Sequence, residues 1–221
     1  MHKTLSTLTF AALFSVAAFS QGQDHFFQVR YAANLTAGDS VINITNTGAN
    51  GAAINGPGFG GAAGNICVNV YAFSPDEQLI SCCSCLITPN GLVSLSVNQD
   101  LVSNTLTGVR PNSIVVKLVN TTAGVAPAAG TSCTNSAALA GGAAFPLAPG
   151  MLAWGTTVHA AAAAGTFATT ETAFIPATLS QGAAGSNNEL QSITGRCTSI
   201  IGNGSTFGIC RSCRTGGLRA E

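Results

Sequence analysis

Ser74-Pro75-Asp76-Glu77-Gln78-Leu79-Ile80-Ser81-Cys82-Cys83-Ser84-Cys85-Leu86-Ile87-Thr88-Pro89-Asn90-Gly91-Leu92-Val93-Ser94-Leu95-Ser96-Val97 is the stretch that decides the fold. Pro89 presets a negative φ and Asn90-Gly91 tolerates the positive φ of a tight reversal, so the stretch reads as a β-hairpin. After the turn, Val93, Leu95 and Val97 alternate with Leu92, Ser94 and Ser96, the period of a strand. Side chains alternate faces along a strand, so Cys83 and Cys85 point one way and Cys82 the other. Their partners therefore lie in at least two places. Upstream, Ser74-Pro75-Asp76-Glu77 has a Ser cap, a Pro in the first helical position and an acidic residue three later, which predicts one helical turn. That reading is preferred to Asp76 and Glu77 as a working carboxylate pair.

The chain begins with a predicted export signal over residues 1–20: His2 and Lys3, an apolar run from Leu5 to Phe19, and small residues at its end. The run is shorter than the roughly 20 residues of a bilayer span, and no cysteine follows it until Cys67. About 200 residues remain, enough for one domain with its own core. Residues 21–180 read as the β-sandwich domain, and 181–221 as a C-terminal helix and Cys/Arg tail packed on it.

Charged residues are only 7% of the chain and the formal net charge is 0. Such a surface has no electrostatic footprint for nucleic acid or anionic lipid, and low charge permits self-association. No later segment is long and apolar enough to span a membrane. Eight cysteines, Cys67, Cys82, Cys83, Cys85, Cys133, Cys197, Cys210 and Cys213, all follow the signal. An even count in an exported chain predicts disulfides, with about 105 connectivities open if all pair.

Strands are expected over 28–34, 40–46, 66–73, 112–120, 151–160 and 167–175, besides the two arms of the hairpin. Cys67 lies on the strand next in sequence to the triple-cysteine arm and is a plausible partner for it. Lys117, amid apolar residues, suggests an edge position or a snorkelling stem. Trp154, the sole tryptophan, is the best single core candidate. Residues 48–65 and 121–149 read as long Gly/Ala-rich loops, and Cys133 should be bridged to hold the second. Gly56-Pro57-Gly58-Phe59-Gly60-Gly61 fits a dinucleotide fingerprint in spacing only, because Pro57 interrupts it and a strand follows. Ser186-Asn-Asn-Glu189 reads as a capping box, starting a helix whose Leu190, Ile193, Cys197, Ile200 and Ile201 share a face.

These elements predict an all-β fold: an antiparallel two-sheet sandwich of about eight strands, each sheet with one wet face, with a short C-terminal helix, stapled by disulfides. In composition alone the chain resembles exported β-sandwich subunits of surface layers, spore coats and extracellular fibres. The leading functional expectation is a secreted structural or assembly protein of the cell surface or an extracellular matrix or filament. Its partners would be further copies of itself or another surface protein, with residues 25–34 adding to a neighbour's sheet.

The first alternative is an extracellular adhesin or carbohydrate-binding module using Tyr71, Trp154 or the Gly-rich loop. The second is thiol chemistry: Cys210-x-x-Cys213 has the spacing of zinc ligands, and Cys82, Cys83 and Cys85 offer further thiolates. Arg211 and Arg214 would favour a redox thiolate there, although the βαβ setting of such motifs is missing. No cofactor other than zinc is suggested. Hydrolytic catalysis has no G-x-S-x-G or H-E-x-x-H to stand on, only His25 and His159, with Asp100 as a distant acidic partner. No catalytic residue is assigned and the chain is read as a non-enzyme.

Overall fold

Alternation sorts side chains between two sheets. Val68, Val70 and Ala72, Ile114, Val116 and Leu118, Ile42 and Ile44, and Val93 and Leu95 turn to a common interior and are buried to 3% exposure or less. Fully burying each such aliphatic side chain stabilises by about 1.5–3 kcal/mol, so this layer dominates the fold. The computed structural model describes residues 25–52, 64–123, 133, 145–180, 188–211 and 213–215. The predicted export signal, the Gly56–Gly61 stretch and Ser186 lie outside them.

The strands are β1 (Phe27–Ala33), β2 (Val41–Asn46), β3 (Ile66–Phe73), β4 (Leu79–Ile87), β5 (Leu92–Ser96), β6 (Ser113–Thr122), β7 (Met151–Ala160), β8 (Phe167–Ala173), β9 (Ile175–Pro176) and β10 (Arg214–Thr215). A π-helical turn over Val97–Leu101 follows β5, and one helix, α1 (Glu189–Gly202), follows β9. The first sheet has the order β4-β3-β6-β1-β9 and the second β10-β5-β2-β7-β8. Every pairing between these strands is antiparallel. The all-β, two-sheet sandwich with its short C-terminal helix and disulfides is therefore the observed architecture.

Several local expectations change. The Pro89-Asn90-Gly91 reversal does not close a hairpin: β4 belongs to the first sheet and β5 to the second. Asn90 adopts φ 61° as expected, but its N–H donates to the Asn46 carbonyl at 2.9 Å, fastening the corner to β2 instead. A turn reverses the chain; it does not choose the sheet of the second arm.

The residues from Ser74 to Gln78 form no helical turn. They close the real hairpin, β3 to β4, with Ser74 N–H donating to the Gln78 carbonyl at 2.9 Å and Glu77 at φ 65°. The strand expected over 167–175 breaks at Phe174, whose buried ring marks the switch from the second sheet to the first.

Trp154 is half-buried rather than central. Met151, Ala153, Gly155 and Thr157 face inward on β7, so alternation puts Trp154 on the outer face, beside Asn43 and Ala173. Size suggested the core; strand parity overruled it.

Nor does the first sheet have a wet face throughout. Its outer side carries α1, over a second apolar cluster of Phe27, Tyr71, Leu79, Cys82, Val119, Ile193, Cys197 and Ile200. Ile193, Cys197 and Ile200 are buried on the predicted helix face. The capping box sits two residues later than expected, with Asn188 as cap accepting from Gln191 N–H at 2.8 Å. Asn188-x-x-Gln191 satisfies the same pattern as Ser186-x-x-Glu189, so spacing could not separate them.

Lys117 is on β6, between β3 and β1, not on an edge. Its stem runs along the outer face, its ammonium lies 5.3 Å from the centre of the Phe73 ring, and it pairs with Glu189 at 2.5 Å.

Candidate functional site

Sulfur organises one side of the molecule. Cys82 faces outward and bridges Cys197 on α1, while Cys83 and Cys85 face inward and bridge Cys210 and Cys213 of the C-terminal tail. The split follows from alternation along β4. Cys67 does not join the triple-cysteine arm. It stands opposite Leu86 and bridges Cys133, tying down the loop that was expected to need a staple.

All eight cysteines are thus in disulfides. The proposed zinc ligands are divided by the same geometry: Cys82 lies on the other face, whereas the sulfurs of Cys83, Cys85 and Cys213 are within 4.8 Å of one another. Thiolate chemistry there would first require reduction of both bridges.

The tail, together with Leu106 from the connection between β5 and β6, closes the edge of β4. Cys82 N–H donates to Gly208 O at 2.9 Å, Cys210 N–H donates to Cys82 O at 3.2 Å, and Leu106 N–H donates to Ile80 O at 2.8 Å. Gly208 is required in this seal. Its φ is +79°, and a Cβ would lie 2.6 Å from Ile200 Cγ2 and 3.3 Å from the Ile80 carbonyl oxygen.

The opposite edge of the second sheet is different. β8, Phe-Ala-Thr-Thr-Glu-Thr-Ala, pairs with β7 along its whole length, and all seven of its residues are exposed. Among the described residues no strand covers its outer edge. The protective devices of edge strands, a lysine, a proline, a bulge or a covering segment, are missing from it apart from the single charge of Glu171. A strand exposed on both faces with an unpaired edge can accept another strand.

Other candidates resolve into structural roles. Tyr71 is 0% exposed, and burial pushes its hydroxyl well above its ordinary value, so it offers no contact to a ligand. His159 Nε2 bonds Thr170 Oγ1 at 2.8 Å, and the buried Asp100 carboxylate accepts from Ser96 N–H at 2.7 Å. Asp76 and Glu77 are exposed on the β3–β4 loop.

A groove of about 550 Å³ between α1 and the first sheet is lined by Phe73, Glu77, Lys117, Glu189 and Arg196 among others. Burial raises the Glu189 carboxyl, but hydrogen bonds from Lys117 and Ser180 and the ammonium charge outweigh it and leave it below its ordinary value. The pair fastens the start of the helix to β6.

β1, expected to extend a neighbour's sheet, is engaged in its own, paired with β6 over all seven residues. Two features escaped the sequence reading. The bare edge of β8 could not be seen because edge position depends on strand order. Arg30, in contrast, had a signal: Gln28, Arg30 and Ala32 share a parity, and a lone inward arginine in a strand is unusual.

The molecule is, as a class, a disulfide-locked β-sandwich in which the tail seals the β4 edge and, among the described residues, the β8 edge is open. Four disulfides belong to an oxidising environment. No helix among the described residues is long and apolar enough to cross a membrane. No protein-family model, curated protein or solved structure matches the chain.

Proposed function

We propose that this is an exported structural subunit of a cell surface or extracellular assembly, released from its signal over residues 1–20, whose partner is a second copy of itself. The observation that carries the reading is β8, a seven-residue strand exposed on both faces at an edge that no described strand covers. Low charge supports self-association, and the four disulfides suit a fold that must persist outside the cell.

The sequence of β8 is also compatible with its own copy. Antiparallel pairing about Thr170 sets Thr170 opposite Thr170, Thr169 opposite Glu171, Ala168 opposite Thr172 and Phe167 opposite Ala173. No like charges stand directly opposite, and Thr–Thr pairs favour adjacent strands. Such a pairing is two-fold and closed, so it yields a dimer as the building block.

The register makes a sharp test. Mature protein in oxidising buffer should sediment as a concentration-dependent dimer. Thr169→Glu places a second carboxylate opposite Glu171 of the other copy and should give monomer. Adding Glu171→Lys to that chain restores opposite charges and should restore the dimer. Wild-type protein that stays monomeric at its highest soluble concentration, or a Thr169→Glu variant that still dimerises, would overturn the proposal.

A further inference from the structure

Arg30 lies between the sheets at 8% exposure. Burying a cation is costly unless an anion or several acceptors replace its water. Among the described residues the one ion pair is Lys117 with Glu189, and Arg30 takes no part in it. Its Nη1 donates to the Thr172 carbonyl and, at 2.6 Å, to Thr172 Oγ1; its Nη2 donates to Thr157 Oγ1 at 2.7 Å. Glu171 stands between Thr170 and Thr172 and so points to the other face of β8. Among the described residues neutral groups accept its hydrogen bonds, and Glu171 favours its charge through space without forming an ion pair with it.

Gly155 lies beside the guanidinium, and it is the neighbouring β2 backbone, not Arg30, that excludes a side chain there. A Cβ there would lie 2.5 Å from the Val41 carbonyl oxygen and 3.5 Å from Arg30 Nε. The guanidinium borders a cavity of about 230 Å³, also lined by Tyr31, His159, Thr170, Thr172 and Ile175. Tyr31 is 56% exposed and Ile175 71%, so the rim is open.

We propose that this cavity binds a uronic acid, a sugar carrying one carboxylate, with Arg30 as its anion contact. Each part of the lining has a role. A guanidinium fixed by other acceptors suits a planar carboxylate better than a mobile ammonium does. Thr172 Oγ1 accepts from Arg30 and keeps its own hydrogen to donate, and Thr170 adds a second hydroxyl for sugar oxygens. The exposed Tyr31 ring offers an apolar face with a polar tip to the ring of the sugar. The volume falls below the roughly 300 Å³ at which sites for drug-sized ligands begin, which favours a single sugar unit. The inference does not depend on the assembly reading, because its anion contact, Arg30, stands on β1 and not on the strand proposed to pair.

Titration calorimetry of the mature, disulfide-bonded protein with galacturonate tests it. Saturable binding is expected, with neutral galactose and with acetate each at least about tenfold weaker, since each lacks one half of the recognised group. Arg30→Lys should weaken galacturonate binding about tenfold or more through loss of the planar fork. If that variant does not fold, Tyr31→Ala decides: its exposed side chain can be removed without loss of fold, and binding should fall several-fold. No saturable galacturonate binding, equal affinity for galactose or acetate, or unchanged affinity in Tyr31→Ala would overturn the assignment.

Discussion

β4 and β8 are both sheet-edge strands of mostly uncharged residues, yet the fold treats them oppositely. β4 is nine residues long, its outer carbonyls and amides are met by Leu106, Gly208 and Cys210, and three of its residues are covalently fixed to the helix or tail. β8 is seven residues long, paired on one side only and exposed throughout. The lesson is that closing an edge takes non-local chain. Separations of 115, 127 and 128 residues bring the cover to β4, and none is brought to β8 among the described residues.

The hardest blow to this contrast is to unseal β4. Replacing Cys83, Cys85, Cys210 and Cys213 with serine removes bridges of 127 and 128 residues' separation. Closing a loop of that size stabilises by about 4–5 kcal/mol through chain entropy. The two loops nearly coincide, so the pair should cost little more than one of them, read as a guanidinium midpoint. The variant should also form species larger than the dimer in sedimentation, because a second edge is now bare.

Next come the glycines that let each side pack. Gly208→Ala, strained by its φ of +79° and its 2.6 Å approach to Ile200, should cost about 1–3 kcal/mol, as should Gly155→Ala against the Val41 carbonyl. Both are measured by urea unfolding. Only Gly208→Ala should also increase protease cleavage in the tail.

Smaller effects sharpen the comparison. The Glu189 carboxyl is depressed below its ordinary value of 4.5 in the folded state. Its contribution is therefore fully present above that value and lost as pH falls through the lower folded value. Lys117→Met should weaken this acid-side dependence, leaving only what Ser180 contributes, and cost up to about 1 kcal/mol at neutral pH, since the pair is partly exposed. Urea midpoints across the acid range check the sign. Phe167→Lys at the 49% exposed start of β8 should change stability by less than about 0.5 kcal/mol while weakening dimer sedimentation. A variant that left stability and association both unchanged would show that β8 is not the contact.

Much of this architecture was legible from local pattern. Alternation identified the strands, and the spacing of Cys82 against Cys83 and Cys85 required partners on two faces, which Cys197 and the tail supply. Cys133 was correctly expected to be stapled. The corner at Pro89-Asn90-Gly91 was misread because a positive φ at Asn90 serves a hairpin and a crossing between sheets equally well. Trp154 was misplaced because hydrophobic size was weighed above the parity that Gly155 and Ala153 impose on β7. The candidate sites were less visible still. β8 was read as a strand, but its bareness is a property of strand order, and Arg30 gains meaning only beside Thr157 and Thr172, more than a hundred residues away.

By itself, then, the order of residues determined which segments extend, which faces are apolar and how the sulfurs must divide, because backbone geometry imposes periods of two and of about 3.6 whatever the rest of the chain does. Tertiary structure decided which sheet each strand joins, which edge the tail seals and which arginine is buried without an ion pair among the described residues. Those outcomes are set by packing between segments far apart in the chain, and no local period carries that information.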